Sequence, residues 1–580
     1  MNVIGLNAFH GDSSACVFVN GEMVAAVEEE RFRRIKHWAG FPSEAIKYCL
    51  DSQGLSLNDI DCIAINTDPK TARLKKALYL LSGQSSWALV KEKILVRKKR
   101  KSIHDYLVES FPDHRFSGDI EYVDHHLAHL ASAFNVSPYK TASIISVDGF
   151  GDFASTAWAF GQNQNIELQK RVYFPHSIGI FYQAMTQYLG FPHYGDEYKV
   201  MGLAPYGEPK YRKEMDQIVA SIKDGSFELN LDYFQHHKKP IGYEWENGSP
   251  RVSQLFTNKM EDLLGPIRKD DEPLNQHHFD IARSIQDTYE RIFFHILNTL
   301  HTQHKTDNLT VSGGCGMNSV ANGKVHLNTP YKNIYIQSAA GDAGGAIGAA
   351  IIAGQRHGIK NKFSMQHSYW GSEYSDLDLS KLINKNQSNF SNNNCMIDLN
   401  LKFEDVCDRV SDYLIEGKVV GWFQGAMEWG PRALGNRSIL GDPRRTDMKD
   451  ILNIKIKRRE SFRPFAPSVL REHVKDWFKS DADVPFMMKV FEIKKKQRQR
   501  IPAVAHVDGS GRLQTVTKET NLRYYELINT FYQKTGVPML LNTSFNENEP
   551  VVRTPEEATA CFLRTNMDVL VLGSHIITRS

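Results

Sequence analysis

The chain has 580 residues, of which 41% are hydrophobic and 24% charged, and a net charge of +3. That length calls for two or more domains with sizeable cores. The small charge implies no bulk affinity for nucleic acid, and no apolar run approaches the roughly 20 residues that span a bilayer. The opening Met1-Asn2-Val3-Ile4-Gly5-Leu6-Asn7 has no cationic region like that of a signal peptide, and the seven scattered cysteines include no Cys-x-x-Cys pair. A cytoplasmic protein with reduced thiols is expected.

In chain order, residues 3–7 read as a strand, His10 to Ser14 as a turn and Ala15 to Val19 as a second strand. Asn20-Gly21 is a hairpin signal, and Met23 to Val27 completes a third strand. His10 lies in the polar turn with Asp12 close by, and an imidazole there has a pKa suited to a general base for a substrate hydroxyl. The basic run Arg97–Lys101, like Lys494–Arg500 later, lacks interleaved aromatics and reads as a solvated face.

Asp124-His125-His126-Leu127-Ala128-His129-Leu130 reads as helix. Spacing of four puts His125 and His129 on one face, which suits a shared metal, while His126 points elsewhere. The meander returns with strands at Ser143–Val147, Ala154–Phe160 and Ile166–Tyr173 and a turn at Asp148–Asp152. Two copies, each opening on a polar turn, suggest two related lobes with a cleft between them. Lys199 enters a glycine/proline loop, Lys199 to Gly207, that is a candidate to line this cleft.

Two strands then lead into glycine turns, Ser312-Gly313-Gly314-Cys315-Gly316-Met317-Asn318 and Ala339-Ala340-Gly341-Asp342-Ala343-Gly344-Gly345. Such turns can offer N–H groups to an anion, so Gly313, Gly314, Asn318 and Gly341 are candidates for holding a nucleotide. Asp148 and Asp342 add carboxylates to the two imidazoles, a set suited to Fe(II), Mn(II) or Zn(II).

Residues 360–402 turn polar and read as a partly irregular connector. From 403 a second domain begins. The apolar run Val419 to Phe423 reads as a buried strand and precedes Gly430-Pro431-Arg432-Ala433-Leu434-Gly435-Asn436-Arg437-Ser438. Arg432 and Arg437 stand five apart, and Arg444, Arg445, Lys455, Lys457, Arg458, Arg459 and Arg463 follow, a density that suits a polyanion. A late strand, Val537 to Leu541, runs into Asn542-Thr543-Ser544-Phe545-Asn546.

Taken together, these motifs resemble those of the O-carbamoyltransferases of antibiotic, toxin and nodulation-factor biosynthesis. The matching stretches are Val27 to Phe32, His125 to His129, Lys199 to Gly207, Ser312 to Asn318, Gly341 to Gly348, Glu428 to Ser438, Arg463 to Pro467 and Leu541 to Asn546. They run in order along almost the entire chain.

The resemblance implies an α/β protein. Residues 1–359 would form an actin-like ATPase/sugar-kinase-type domain with duplicated lobes that carries out metal-dependent carbamoyl transfer. Residues 403–580 would form a domain similar to the threonylcarbamoyl-adenylate synthases, making carbamoyl-adenylate from carbamoyl phosphate and ATP, the latter with Mg(II). By motif match His125, His129, Asp148 and Asp342 would hold Fe(II) or another divalent ion, and His10 would be the acceptor-site base. Arg432, Lys457, Arg463, Arg512, Asn542 and Ser544 would hold carbamoyl phosphate and ATP, with Arg437, Lys199 and the glycine-turn residues as further candidates.

The expected partner is a small-molecule hydroxyl acceptor in natural-product biosynthesis, with no nucleic acid and no membrane, and with a monomer or homodimer as the assembly. Two departures stand out. The chain reads His10-Gly11-Asp12-Ser13 where many relatives read His-Asp-Ala-Ser, and Ala426 stands where many carry Arg. The competing reading is a threonylcarbamoyl-type tRNA-modifying enzyme, which the small net charge and the lack of an RNA-binding module oppose.

Overall fold

The computed structural model describes residues 1–82, 101–244, 249–457, 460 and 462–579. Arg97 to Arg100, Arg458 and Arg459 lie outside the described residues. The chain divides into two compact units, one made of Met1–Glu30 and Ile35–Met365, the other of Arg31–Arg34 and Gln366–Ser580.

The first unit contains one pattern built twice. In its first lobe, β1 (Asn2–Asn7), β2 (Ser14–Val19) and β3 (Glu22–Glu28) form an antiparallel meander. β4 (Cys62–Ile65) and β5 (Asp119–Tyr122) extend the sheet in parallel from the β1 edge, in the order β3-β2-β1-β4-β5. Helix α1 (His125–Phe134) follows. The second lobe repeats this with β6 (Thr141–Gly151), β7 (Ala154–Gln162), β8 (Asn165–Tyr173), β9 (Asn308–Ser312) and β10 (Asn333–Tyr335), in the order β8-β7-β6-β9-β10. Helix α2 (Gly345–Arg356) follows.

The first strand of each lobe is flanked on both edges and nearly all buried, which is why Val3-Ile4-Gly5-Leu6 and Ser143-Ile144-Ile145-Ser146 read as apolar or small-residue runs. The small residues of α2 have a packing reason. A Cβ on Gly348 would lie 1.8 Å from the Ala128 carbonyl oxygen of α1, and one on Gly5 would lie 2.0 Å from the Ala346 carbonyl oxygen of α2. The helices and β1 approach each other at backbone distance because these positions carry no side chain.

The second unit holds a nine-stranded mixed sheet. Helix α3 (Asp376–Lys385) and β11 (Cys395–Asp398) come first, followed by β12 (Val420–Phe423), β13 (Arg437–Gly441), β14 (Ala466–Leu470) and β15 (Lys489–Glu492). β16 (Ser510–Val516), β17 (Met539–Ser544), β18 (Val569–Leu572) and β19 (His575–Arg579) complete it, in the order β11-β19-β18-β12-β13-β17-β14-β16-β15. Trp422, Ile439, Leu440, Leu541 and Leu570 are fully buried in its core.

The expected connector at 360–402 is not one. From Gln366 onward it belongs to the second unit, β11 pairs with β19, and Leu379, Ile383 and Phe390 join the core. Leu379, Leu382 and Ile383 keep a helical apolar spacing that the surrounding Lys, Asn and Ser residues dilute. Among the described residues no helix is long and apolar enough to cross a membrane.

Candidate active site

Helix α1 is held at its first turn by two carboxylates. Asp124 accepts the Leu127 N–H at 2.9 Å, and Asp152 accepts the His125 N–H at 2.9 Å. Asp152 also takes the Asp68 N–H and the Thr67 hydroxyl. With the helix start fixed, the i, i+4 spacing brings His125 Nε2 and His129 Nε2 to 3.0 Å from each other. A bulge in β6 between Val147 and Gly151 interrupts the ladder where Asp148 sits, a common device for re-aiming a side chain beside a site.

Asp148 Oδ2 lies 3.0 Å from His125 Nε2 and 3.3 Å from His129 Nε2. Asp342 Oδ1 lies 3.3 Å from His129 Nε2 and 3.7 Å from His125 Nε2. The four ligand atoms lie within 4.8 Å of one another.

A divalent ion fits this donor set. Metal–ligand bonds of about 2.1 Å place neighbouring donors about 3.0–3.4 Å apart, close to most of the spacings seen. Two imidazole Nε2 atoms facing each other at hydrogen-bond distance can share only one proton between them, whereas both can donate lone pairs to one cation. Electrostatics point the same way. Burial favours a neutral His129, yet the hydrogen bonds and charges of Asp148 and Asp342 push it up to about 9. Burial opposes ionisation of Asp148 too, but the two imidazoles hold its carboxyl well below the usual range. Burial and the Asp148 charge raise Asp342.

Gly314 donates its N–H to Asp148 Oδ1 at 3.1 Å, which orients the other oxygen toward the histidines. His126 turns away to Ser146 Oγ at 3.0 Å, and burial lowers it to about 3.

His10 stands beside this cluster, its ring edge-on to that of His125 at 5.3 Å between centroids. The inserted Gly11 therefore leaves the ring next to the metal-type cluster. The turn is braced from outside. Phe9 and Asp12 have left-handed backbones, with φ of 66° and 57°. Phe9 N–H donates to the Gly40 carbonyl and Ser13 N–H to the Trp38 carbonyl. His37 Nδ1 meets Asp12 Oδ1 at 2.8 Å, and the His37 N–H donates to Glu30. Against burial, Asp12 and Glu30 push His37 up to about 9. Its ring lies edge-on to Tyr194 at 5.1 Å. The sequence carries no signal for the His37–Asp12 pair beyond the closeness of Asp12 to His10.

Other residues of the first unit expected at a nucleotide have structural partners. Lys199 pairs with Asp196 at 2.9 Å and lies over Phe191. Asn318 caps a helix by accepting the Ala321 N–H, and it exchanges hydrogen bonds with the Gln286 amide. Gly313 has a φ of 87° and a Cβ there would lie 2.2 Å from the Val147 carbonyl oxygen, so both features require glycine, and its N–H donates to the Ala340 carbonyl. The Gly314 N–H is taken by Asp148. Gly341 precedes Asp342 and packs on Met317. The first glycine turn thus supports the carboxylate cluster.

In the second unit the loop from Glu428 to Ser438 is clamped from several sides. Glu428 Oε1 accepts the N–H groups of Leu434, Asn436 and Arg437 at 2.8, 2.8 and 3.1 Å. Asn542 donates to the Ala433 carbonyl, and Gln514 and Tyr369 donate to that of Leu434. Asn521 reaches both Tyr369 and Asn436. Glu428 falls within the recognised motif, but nothing in the sequence flags Tyr369, Gln514 or Asn521. A small pocket lined by Gln366, Tyr369, Phe486, Gln514 and Thr520 adjoins this clamp.

Several basic residues expected at the anion are spent on the protein itself. Arg437 is fully buried, stacks on Phe423 at 3.7 Å and donates to the carbonyls of Gln424, Gly425, Asn436 and Ser372. Lys457 is buried and donates to Ser544 and Asn546, bracing that loop. The Asn542 amide nitrogen is taken by Ala433, Ser468 and Gln514, and the Ser544 hydroxyl donates to Asn546. Arg444 pairs with Asp442, Arg445 with Asp447 and Lys455 with Asp568. Arg463 pairs with Glu460 at 3.3 Å, and Arg432, Arg463 and Arg512 are all half-buried.

Residues 2–351 match the profile described as carbamoyltransferase N-terminus, and residues 411–579 that described as carbamoyltransferase C-terminus. An uncharacterised protein of Synechocystis is 38% identical over 100% of this chain and 97% of its own. Nodulation protein NolNO of Sinorhizobium fredii is 36% identical over 99% of this chain and 80% of its own. Among solved structures, component A of (R)-2-hydroxyglutaryl-CoA dehydratase from Acidaminococcus fermentans aligns at 10% identity and a TM-score of 0.33, covering 62% of this chain and 99% of that one. Two consecutive profiles over residues 2–351 and 411–579, with a relative 36% identical over 99% of this chain and 80% of its own, establish that the chain belongs to the carbamoyltransferase family.

Proposed function

We propose that this carbamoyltransferase works in two ATP-dependent steps. In the first, the second unit makes carbamoyl-adenylate from carbamoyl phosphate and ATP, which arrives with Mg(II). Mass balance requires one water. Phosphate leaves the carbamoyl group to water, the carbamate oxygen then attacks the α-phosphorus, and pyrophosphate departs. Arg432, Arg463 and Arg512 balance the phosphate charge by charge-assisted contacts. The clamp of Glu428, Gln514 and Asn542 around Ala433–Arg437 fixes the loop that carries Arg432, and such positioning carries much of the rate.

In the second step the carbamoyl group passes to a hydroxyl of a small-molecule natural product. His10 takes the hydroxyl proton, the oxygen forms the new bond to the carbamoyl carbon, and AMP leaves with the electron pair of the broken anhydride bond. His125, His129, Asp148 and Asp342 would hold Fe(II) or a similar ion. Bound there, it supplies Lewis-acid polarisation of the reacting oxygens. The observation that carries the reading is this four-residue cluster with the His10 ring against it. A small acceptor rather than tRNA is supported by the net charge of +3 and the absence of an RNA-binding motif.

The test separates the steps. His125→Ala with His129→Ala should retain carbamoyl phosphate-dependent pyrophosphate release while losing bound metal and carbamoylated product. Arg432→Ala should lose pyrophosphate release. Loss of both steps in the histidine variant, with its fold intact, would reject the division of labour.

A further inference from the structure

The Glu28-Glu29-Glu30-Arg31-Phe32 stretch has no role in these two steps, yet residues Arg31–Arg34 belong structurally to the second unit. Arg31 is only 3% exposed, and its Nη2 donates to the Gly430 carbonyl at 2.8 Å. Arg34 donates to the carbonyls of Val551 and Pro550 and pairs with Glu557 at 3.1 Å. The Arg553 guanidinium lies over the Phe32 ring at 4.6 Å. A four-residue piece from the start of the chain is thus built into the C-terminal fold.

We propose that Arg31 is a positioning residue for Arg432 in adenylate formation. The inference rests on the reading of the second unit as the adenylate-forming one. The loop bearing Arg432 is anchored on its C-terminal side, where Glu428, Gln514 and Asn542 hold residues 433–437. On its N-terminal side Gly430 takes a φ of 104°, a conformation open to glycine. The next residue, Pro431, has no N–H to make a local turn bond. The Trp429 N–H donates to the Ser368 carbonyl just before this turn, and the charged Nη2 of Arg31 on the Gly430 carbonyl anchors the turn itself, a donor stronger than a neutral one. Pro431 and Arg432 therefore lie between anchored neighbours on both sides, one anchor coming from about 400 residues earlier in the chain.

The test is a double-mutant cycle in the full chain, reading carbamoyl phosphate-dependent pyrophosphate release. Arg31→Met, Arg432→Ala and their combination are compared with wild type. Arg31→Met is expected to lower kcat/KM by about 10–100-fold, the cost of misplacing a catalytic group by about an ångström. The combined variant is expected to be no worse than Arg432→Ala alone, since Arg31 acts through Arg432. A merely structural residue would give losses that multiply, and that result overturns the proposal. Wild-type rates in Arg31→Met beside an impaired Arg432→Ala overturn it as well, and leave the adenylate reading standing. A wild-type rate in Arg432→Ala overturns both. Should Arg31→Met fail to fold, Arg31→Lys, which keeps the charge and loses the fork, decides: a lowered kcat/KM supports the role and an unchanged one overturns it.

Discussion

Gly151 is the most informative position to perturb. A Cβ there would lie 2.0 Å from His125 Cδ2 and 2.1 Å from Cγ, where ordinary contact begins at 3.4 Å. The ring of Gly151→Ala must therefore move by roughly 1.4 Å, against a tolerance of about 0.2 Å in metal–ligand distance. It has nowhere to recoil, because the rings of His10, His126 and His129 surround it at 5.3, 5.4 and 4.6 Å. The helix start persists, since Asp152 holds the His125 backbone rather than its ring. Losing one well-placed ligand of four should weaken metal binding by at least about 10–100-fold, or about 1.4–2.7 kcal/mol. Pyrophosphate release by the second unit should be unchanged. Chelator competition followed by metal analysis reads the affinity. A Gly151→Ala protein that binds iron with wild-type stoichiometry and affinity would refute the assignment of His125 as a ligand.

Three further variants test other parts of the account. His10→Asn should keep bound metal and pyrophosphate release but lose about 10²–10⁴-fold in transfer to the acceptor; normal transfer moves the base elsewhere. Glu428→Gln, which weakens the acceptor of three backbone N–H groups, should lower kcat for pyrophosphate release while its circular dichroism stays native; an unchanged kcat would show that the clamp does not position Arg432. His37 faces Asp12, Glu30, Lys36 and Tyr194 and is raised from 6.5 to about 9. Its ion pair should therefore contribute fully below about pH 6.5 and fade as pH rises through about 9, a change of about 3 kcal/mol at most. Denaturation of His37→Gln should show a flatter loss of stability between pH 6.5 and 9.5 than wild type, and parallel curves would contradict this.

The lobes were legible because local signals agreed with the global pattern. Asn20-Gly21 marks the first hairpin, and the Asp148–Asp152 turn marks its repeat. The paired histidines were legible from helical spacing alone, since i and i+4 share a face whatever the helix packs on. The surroundings of the basic residues are less legible, because sequence displays charge without its partners. Arg437 and Arg432 look alike in the motif, but Arg437 is consumed by carbonyls that include Ser372, 65 positions away. Lys457 is taken by Asn546, 89 positions on. Gly314 likewise reads as an anion cradle until the fold supplies Asp148 as the anion. Residues 360–402 read as a linker because their buried apolar residues are Leu379, Leu382, Ile383 and Phe390 set among polar ones.

In the proposed reaction carbamoyl phosphate and ATP meet in an adenylate before any acceptor is involved. Quantifying phosphate and pyrophosphate in parallel, with full-length enzyme, metal and both substrates but no acceptor, tests it most directly. One phosphate and one pyrophosphate per turnover are expected, both dependent on carbamoyl phosphate, with AMP appearing as the adenylate hydrolyses. Carbamoylated product formed on adding acceptor, with phosphate released but no pyrophosphate, would show direct transfer from carbamoyl phosphate and contradict it.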